Sequence, residues 1–443
     1  MADRITVEHV RELIKAGHAR TVDDRRYLHA HPELSFQEHE TGRYIADQLK
    51  EWGIEVRTGI AGTGVIAVLR GAKPGPTICL RADMDALPIQ EAGGLAYRSV
   101  NPGVMHACGH DAHTAMVLAA GRVLHALRGR WNGTVLLLFQ PGEEKIPGGA
   151  SLVLKEGALK DPAPESIIGQ HVTPELEVGK VGFHAGPFMA SSDEIHVTVK
   201  GKGGHAASPE KLVDPIMIAA RLLLTLKEEF EEWRKDRQLV LGFGRVIADG
   251  ATNVVPDEVT IAGTLRTFDE DLRKEMHAWL PKRVKEVCAS HGGSCDFEVR
   301  RGYPVVVNDP GMTERIRMAA AEFLGAEHVV DMPRRMGSED FAFYTQVMPG
   351  CFFRLGTGEP KKGPAPGLHT PAFNIAEEAM AIGAGVLAWG ALREMGEELP
   401  DAGARRVRPS AISKLRPAPV RLPEGERPGL TPRSNRPTGP MPR

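Results

Sequence analysis

Two adjacent glutamates, Glu143 and Glu144, follow a run of apolar residues that is bounded by Gly133 and Pro141. The run covers residues 134–139, is rich in Val and Leu, and predicts a buried strand whose carboxyl end delivers both carboxylates into a loop. Two like charges side by side at such a place require a cationic partner. A divalent metal ion suits them, because one carboxylate can bind the ion while its neighbour moves protons.

Three other stretches carry residues of the types that would complete a metal site. They are Met105-His106-Ala107-Cys108-Gly109-His110-Asp111-Ala112-His113, the short strand predicted from Ile167 to His171, and the loop Gly367-Leu368-His369-Thr370-Pro371. Each lies where a predicted strand or helix begins or ends. In an open α/β sheet the carboxyl ends of the strands face the ligand crevice, so we expect these side chains to converge.

The candidate metal ligands are five side chains, Cys108, His110, Glu144, His171 and His369. Five ligands exceed the four that one tetrahedral ion takes, so we predict two ions that lie about 3.5–4 Å apart and share a ligand. The ions are divalent, with Zn, Mn, Co or Ni as candidates, and the soft sulfur favours Zn, Co or Ni over Mg. Cys108 also lies just before a predicted helix at 112–127, whose N-terminus favours a thiolate.

Other residues of these stretches have two open interpretations each. Asp83 follows a strand predicted at 76–82 and reaches the same sheet edge, either as an acceptor that orients a ligating imidazole or as a cap or turn residue. His113, three residues after His110, is open to an outer role at the metal site or to packing. His106 is the other histidine of the cluster without an assigned role.

The elements that must position these residues form an α/β catalytic domain with a central mixed sheet flanked by helices. Between residues 193 and 302 the pattern becomes strand, helix, strand, strand, helix, strand, which predicts an inserted ferredoxin-like α+β domain. The expected organisation is a catalytic domain at 1–187 and 303–400, an inserted lid and dimerisation domain at 188–302, and a tail at 401–443. The tail is rich in Pro and Arg and is predicted to be disordered. Asn374 and Glu377 predict the cap of a long helix that begins at about Ile375.

Composition narrows the class of protein. The chain has 443 residues, of which 42% are hydrophobic and 25% charged, with a mean hydropathy of -0.22 and a net charge of -2. These values predict a soluble globular protein and give no reason to expect binding to nucleic acid or to a membrane. The five cysteines are scattered and odd in number, which is not a disulfide framework. Because the polar N-terminus lacks an apolar leader segment, we expect a cytoplasmic protein.

Six motifs together resemble the M20 metallopeptidase family, in its amidohydrolase branch of hippurate hydrolases, N-acyl-L-amino-acid amidohydrolases, N-acetyldiaminopimelate deacetylases and auxin-conjugate hydrolases. The likeness runs from about residue 10 to residue 395. The motifs are His29-Ala30-His31-Pro32-Glu33, Arg81-Ala82-Asp83-Met84-Asp85-Ala86-Leu87-Pro88, Met105-His106-Ala107-Cys108-Gly109-His110-Asp111, Gln140-Pro141-Gly142-Glu143-Glu144, Gly203-Gly204-His205-Ala206-Ala207 and Gly337-Ser338-Glu339-Asp340-Phe341.

The resemblance implies a dinuclear catalytic domain interrupted by a lid that forms a homodimer or homotetramer. It implies the five ligands above, Glu143 as general base, His205 reaching the active site of the partner subunit, and Asn253 and Arg266 gripping the substrate carboxylate. Other branches have a ligating His where this chain has Arg81, which cannot bind a cation. The Cys-Gly-His turn would replace that ligand, and whether Cys108 or His110 bridges the ions stays open.

The expected reaction is hydrolysis of the amide bond of an N-acyl-L-amino acid, such as hippurate, to a carboxylic acid and a free amino acid. A metal-activated water would attack, with Glu143 as base. Deacetylation of N-acetyldiaminopimelate and a dipeptidase or carboxypeptidase activity are alternatives that use the same site. Two rivals belong to other classes. One is a thiol hydrolase with Cys108 as nucleophile and His110 as base, which is too compact for residues two apart, and the other is a non-catalytic dimeric binding protein.

Overall fold

The computed structural model describes residues 4–235, 237–359, 363 and 365–396. The predicted tail at 401–443 lies outside the described residues, as do residues 397–400 of the predicted catalytic domain. No described helix combines the length and apolar character that crossing a bilayer requires.

Sixteen strands form the sheets of the described chain. They are β1 (Glu55–Ile60), β2 (Gly64–Arg70), β3 (Thr77–Asp83), β4 (Thr134–Gln140), β5 (Ser166–Glu177), β6 (Val181–Phe183), β7 (Gly186–Met189), β8 (Asp193–Lys200), β9 (Gly204–His205), β10 (Leu239–Ile247), β11 (Val254–Val255), β12 (Glu258–Thr267), β13 (Ser294–Arg301), β14 (Val306–Asn308), β15 (Val329–Asp331) and β16 (Gly350–Gly358).

Nine α-helices connect these strands within the described residues. They are α1 (Val7–Ala30), α2 (His39–Lys50), α3 (His110–Ala126), α4 (Gly149–Glu156), α5 (Pro215–Arg234), α6 (Glu270–Ser290), α7 (Pro310–Leu324), α8 (Ala342–Thr345) and α9 (Ala379–Glu394).

The larger sheet has eight strands in the order β1-β2-β4-β3-β5-β16-β6-β15 and mixes parallel with antiparallel pairs. β3 is parallel to both β4 and β5, and β5 is parallel to β16, whereas β2 pairs with β4 in the antiparallel sense. The predicted α/β class with a central mixed sheet is therefore confirmed. Parallel neighbours place the carboxyl ends of β3, β4 and β5 at one edge, where the site residues lie.

The apolar run of β4 is continuous because helices cover both faces of the sheet. Val135, Leu137 and Phe139 pack in the core that also contains α1, α3 and α9, while Leu136 and Leu138 pack in the core that contains α4 and α8. Successive side chains of a strand alternate between faces, so a strand buried on both sides carries no polar alternation. Each fully buried Leu or Val contributes about 1.5–3 kcal/mol through the hydrophobic effect.

A second sheet has its own core. Its four antiparallel strands lie in the order β10-β12-β8-β13, and their apolar faces pack with α5 and α6. In chain order these six elements follow the strand, helix, strand, strand, helix, strand pattern predicted for residues 193–302. The domain boundaries and the role of this region as a lid remain predictions.

Two local predictions were wrong. β5 does not end at His171 but continues to Glu177, because β16 pairs with it as far as Gly358. The last helix begins at Ala379 rather than near Ile375, and no side chain caps its N-terminus. Asn374 and Glu377 instead accept hydrogen bonds from arginines of α1. Both errors come from partners that are distant in the sequence.

Candidate metal centre and active site

The five predicted ligands come together at the edge where β3 and β4 end, beside His171 within β5. The Sγ atom of Cys108 lies 3.3 Å from Nε2 of His171 and 3.3 Å from Nε2 of His369. Oε1 of Glu144 lies 3.2 Å from Nε2 of His369 and 3.9 Å from Nε2 of His110. The ligand atoms of Cys108, His110 and His171 lie within 4.8 Å of one another, as do those of Cys108, Glu144 and His369.

Backbone geometry brings the cysteine and two histidines into this position. Gly109, between Cys108 and the start of α3, has φ +87°, and a Cβ there would lie 2.5 Å from a methyl group of Val172. Glycine is the residue that accepts both constraints. His369 also has a positive φ, +61°, and its backbone N–H donates to the carbonyl of Ala107. Such backbone strain in a non-glycine residue persists where surrounding contacts impose it.

Asp85 holds the loop that carries the two glutamates. Its Oδ1 accepts the backbone N–H of Glu143 at 3.0 Å, and its Oδ2 accepts that of Glu144 at 3.0 Å and the hydroxyl of Ser35 at 2.7 Å. Asp85 is 1% exposed, and although burial opposes the shift, the hydrogen bond and charge of His110, followed by the hydrogen bonds from Ser35 and Glu144, hold its pKa below the ordinary value. Its backbone carbonyl also lies 2.9 Å from Nδ1 of His110. One residue therefore orients both the loop and a candidate ligand.

Asp83 contacts the imidazole of His113, which is not one of the five candidate ligands. The backbone N–H of Val172 donates to Nε2 of His113, so the Nδ1–H of that ring donates to Oδ1 of Asp83 at 2.6 Å. Both ring nitrogens of His113 are thus occupied, which leaves it no free lone pair for a cation. Oδ2 of Asp83 lies 3.8 Å from Nε2 of His110 and accepts from Arg81 at 2.7 Å. Asp83 is part of a buried charge network, and it does not cap a helix.

Arg81 forms the centre of that network, which sequence reasoning missed. Its guanidinium binds Asp83, Asp340 at 2.7 Å and Glu339 at 3.1 Å, and its Nε donates to the side chain of Gln140 at 3.0 Å. All of these groups are buried. Glu339 and Asp340 belong to one of the six motifs, so the sequence did single out both acidic residues. A motif does not show, however, that Asp340 pairs with Arg81, which is 259 residues away in the sequence.

Glu143 lies beside these acidic groups and is 7% exposed. Burial, with Glu339, Glu144 and Asp340 nearby, raises its pKa well above the ordinary value. The hydroxyl of Tyr303 donates to its backbone carbonyl, and the backbone N–H of Asp340 lies 3.4 Å from Oε1. A carboxylate placed among like charges binds protons readily, which is the property that a general base and acid requires.

The pKa of Cys108 is shifted in the direction opposite to the one predicted from its position before α3. Burial raises the pKa of the Cys108 thiol, and Glu144 raises it further, while His110 and His369 act in the opposite direction. In the protein alone, the loss of hydration disfavours the thiolate more than the N-terminus of α3 favours it.

A cavity of about 870 Å³ lies over this cluster and extends to the face of the second sheet. Cys108, Glu143, Glu144, His171 and His369 line one side, and four arginines also line it, Arg245, Arg266, Arg335 and Arg354. His205 and Asn253 are not among the lining residues. They lie at the β9/β11 ribbon, where His205 pairs with Val254 and the carbonyl of Asn253 accepts the N–H of Ala206.

Two properties of these side chains fit divalent cations. One is the chemistry of their ligand atoms, and the other is a buried polar atom that lacks a hydrogen-bond partner. Nε2 of His110 is buried and has no hydrogen-bond partner in the described part of the chain, and Oε1 of Glu144 lies 3.9 Å from it. A buried polar atom without a partner carries a desolvation cost that a bound ion removes. Sulfur, imidazole nitrogen and carboxylate oxygen together form a ligand set suited to transition metals such as Zn, Co or Ni.

The mixed sheet, the clustered ligand-type side chains and the cavity above them are features of an amide hydrolase of the metallopeptidase type. Comparison with known proteins is consistent with this class. The sequence model of peptidase family M20/M25/M40 matches residues 79–390. The chain belongs to this family, and it is an M20 hydrolase that acts on amide bonds.

Similar proteins include enzymes and a solved structure. The chain is 40% identical over 305 residues to the N-acyl-L-amino acid amidohydrolase of Geobacillus stearothermophilus, which covers 69% of this chain and 82% of that protein. It is 39% identical over 370 residues to the N-acetylcysteine deacetylase of Bacillus subtilis, covering 83% and 95%. The crystal structure of the Bacillus subtilis YXEP protein, described as a dinuclear metal binding peptidase from the M20 family, matches with a TM-score of 0.75 at 37% identity, covering 86% and 99%.

Substitution of Asp85 by Asn tests how the glutamate loop is held. Asn keeps one oxygen acceptor but points an amide N–H₂ at a backbone N–H, so the loop must shift. We expect the affinity for a divalent ion to fall by about 10- to 100-fold, as for partners that orient metal ligands. Titration of the metal-free protein with Zn against a competing chelator measures this.

The matched control is Asp47→Asn on α2, a carboxylate whose side chain is 59% exposed and which makes an exposed i,i+3 pair with Lys50. Circular dichroism confirms that both variants fold. Wild-type metal affinity in Asp85→Asn would contradict the role of Asp85.

Proposed function

We propose that this protein hydrolyses the amide bond of N-acyl-L-amino acids of the hippurate type, releasing a carboxylic acid and a free amino acid. The observation that carries the proposal is the convergence of Cys108, His110, Glu144, His171 and His369 beside Glu143, with all of them except His110 lining one cavity. The likeness to an N-acyl-L-amino acid amidohydrolase over 305 residues supports the substrate class.

Two divalent ions per subunit, drawn from Zn, Mn, Co or Ni, are part of the proposal. Cys108, His110, Glu144, His171 and His369 would hold them. When bound, the ions supply a Lewis acid that polarises the amide carbonyl and lowers the pKa of a water molecule.

Glu143 is the proposed proton carrier of the reaction. Its carboxylate accepts the proton of the attacking water and then returns it to the nitrogen of the leaving amine. Two contacts fix its position, since Asp85 binds its backbone N–H and Tyr303 binds its carbonyl. The partner subunit's His205 would donate a hydrogen bond to the developing oxyanion.

The substrate carboxylate is assigned to Arg266, with Asn253 as a further contact. Arg266 lines the cavity, its Nη1 donates to the carbonyl of Met336 at 3.1 Å, and no carboxylate among the described residues pairs with it. A guanidinium free of acidic partners in a cavity is suited to bind a carboxylate with two hydrogen bonds.

A homodimer or homotetramer through the second sheet is the third element of the proposal. β10 is an edge strand of the described sheet and carries the exposed residues Val246 and Ile247, while Ile216, Met217 and Leu224 are exposed on α5. An unpaired strand edge and exposed apolar side chains favour association with a second copy. In such an assembly the β9/β11 ribbon, which does not line the cavity of its own chain, is available to the partner.

Removal of metal is expected to abolish hydrolysis reversibly. A panel of N-benzoyl, N-acetyl and indoleacetyl amino acids, with N-acetyldiaminopimelate and a dipeptide, measures the activity and separates the alternative substrates. Activity lost on chelation should return when Mn, Zn, Co or Ni is added. Irreversible loss with a thiol alkylator, combined with no effect of the chelator, would instead identify a thiol hydrolase based on Cys108. No turnover of any substrate would support a binding protein.

Glu143→Gln is expected to abolish turnover while leaving the metal content intact. The amide keeps the size and hydrogen-bonding shape of the side chain but cannot accept the proton of water. Elemental analysis of the purified variant gives the metal content, and the best substrate of the panel gives the rate. Glu144→Gln is the comparison, because it should lose metal along with activity. A metal-free Glu143→Gln protein would show that Glu143 is a ligand rather than the base.

Mixing two inactive variants tests the shared active site. His205→Ala and Glu143→Gln subunits, each inactive alone, are allowed to exchange. If His205 serves the partner subunit, a mixed dimer contains one site in which both residues are wild type, and part of the activity returns. A mixture that remains inactive although native mass spectrometry detects mixed dimers would show that His205 does not act across the interface.

A further inference from the structure

Arg354 of β16 is a buried arginine without an acidic partner. It is 2% exposed, and no carboxylate of a described residue forms an ion pair with it. Its Nε is buried and has no hydrogen-bond partner, and the contact of its Nη2 is to the sulfur of Met189 at 2.9 Å. A buried cation left in this state is strongly disfavoured, so its presence indicates a partner that arrives from outside the chain.

The position of Arg354 places it at the candidate active site. It pairs with His171 across the parallel strands β5 and β16, and neighbouring strands lie about 4.8 Å apart. Arg354 also lines the cavity that contains Cys108, Glu143 and His369. The unpaired charge therefore faces the space that a substrate would occupy rather than a closed part of the core.

A second arginine strengthens the positive charge at this end of the cavity. Arg335 lines the same cavity, and its nearest acidic partner is Glu175, at 3.9 Å. Burial, together with the nearby charge of Arg335, lowers the pKa of Arg354 to about 10, while Glu339, Cys108 and Glu175 act in the opposite direction, so Arg354 remains a cation at neutral pH. Two like charges held close together with little acidic compensation form a site for an anion.

The aromatic neighbours of Arg354 do not replace that anion. The guanidinium carbon lies 5.7 Å from the ring centre of Phe188 and 5.4 Å from that of Phe352. Ring faces attract a cation and fix its orientation, but they offer no lone pair in the plane of the guanidinium to its N–H groups. These contacts hold the arginine in place for a ligand with two acceptor oxygens.

We propose that Arg354, together with Arg335, binds a second carboxylate of the substrate, so that the preferred substrates are N-acyl amino acids with one anionic group beyond the α-carboxylate. This inference rests on the proposed function, in which Arg266 takes the α-carboxylate. The second carboxylate belongs either to the side chain of the amino acid or to the acyl group. Both sources present the same chemistry to the arginines, and the experiment separates them.

The test compares three substrates with Arg354→Met. N-acetyl-L-norvaline carries no second carboxylate, N-acetyl-L-glutamate carries one on the amino acid, and N-succinyl-L-norvaline carries one on the acyl group. We expect the wild type to prefer one of the two dicarboxylates. For that substrate Arg354→Met should lower kcat/KM by about 50-fold, mainly through KM, as for the loss of a charge-assisted hydrogen bond to a bound ligand.

The same variant should change kcat/KM for N-acetyl-L-norvaline by less than about threefold, because this substrate has no carboxylate beyond the one assigned to Arg266 and offers Arg354 no specific contact. Methionine fills the space of the side chain with flexible apolar atoms, so the fold should persist. Arg354→Lys keeps the charge without the planar fork and should recover part of the preference. Arg57→Met is the control, since Arg57 also has buried nitrogens without hydrogen-bond partners but does not line this cavity.

Three results would overturn the inference. They are a wild type that prefers N-acetyl-L-norvaline, an Arg354→Met variant that loses the same factor on all three substrates, and one that loses none. Hydrolysis of N-acetyl-L-norvaline by the wild type in any of these cases leaves the proposed function standing. A wild type inactive on all three substrates would overturn the proposed function and this inference together.

Discussion

Six carboxylates packed at the carboxyl ends of β3 and β4 impose the main constraint on this site, because like charges repel strongly where water is excluded. They are Asp83, Asp85, Glu143, Glu144, Glu339 and Asp340. Arg81 compensates three of them, and backbone N–H groups compensate Asp85. Among the described residues, Arg81 forms no ion pair with Glu143 or Glu144; Glu143 accepts one long hydrogen bond from the backbone N–H of Asp340, at 3.4 Å, and Glu144 has only imidazole nitrogens as ion-pair partners. The charge balance of the site therefore depends on a cation beside these two residues, next to the imidazoles and the thiol that can share it.

Local patterns in the sequence were sufficient to predict the elements that carry the ligands. The apolar run of residues 134–139 is the buried strand β4, and the helix predicted at 112–127 is α3, which covers His110–Ala126. The ligands could be predicted as a group because parallel strands bring their carboxyl ends to one edge whatever the details of packing. Residue types and element boundaries can both be predicted from short segments, and together they were sufficient to predict the cluster of candidate ligands.

The remaining parts depend on partners that no short segment reveals. The end of β5 is set by its pairing with β16, and the start of α9 by arginines of α1 that bind Asn374 and Glu377. Asp83 and Asp85 are two residues apart in one motif and chemically identical, yet one binds His113 and the other holds the glutamate loop. Only the three-dimensional neighbourhood separates these roles. A sequence pattern predicts that carboxylates are needed there and leaves their partners open.

Arg81 and Arg354 show how the same residue type, equally buried, acquires opposite properties. Three carboxylates surround Arg81 and raise its pKa well above the ordinary value, so its charge is neutralised within the fold and is unavailable to a ligand. Arg354 has two aromatic rings and a thioether instead, and burial lowers its pKa to about 10. In the first arrangement the carboxylates offset the cost of burying the charge, whereas in the second arrangement no ion pair within the described chain offsets it. The persistence of an uncompensated guanidinium one strand away from His171 is therefore better explained by what it binds than by what it stabilises.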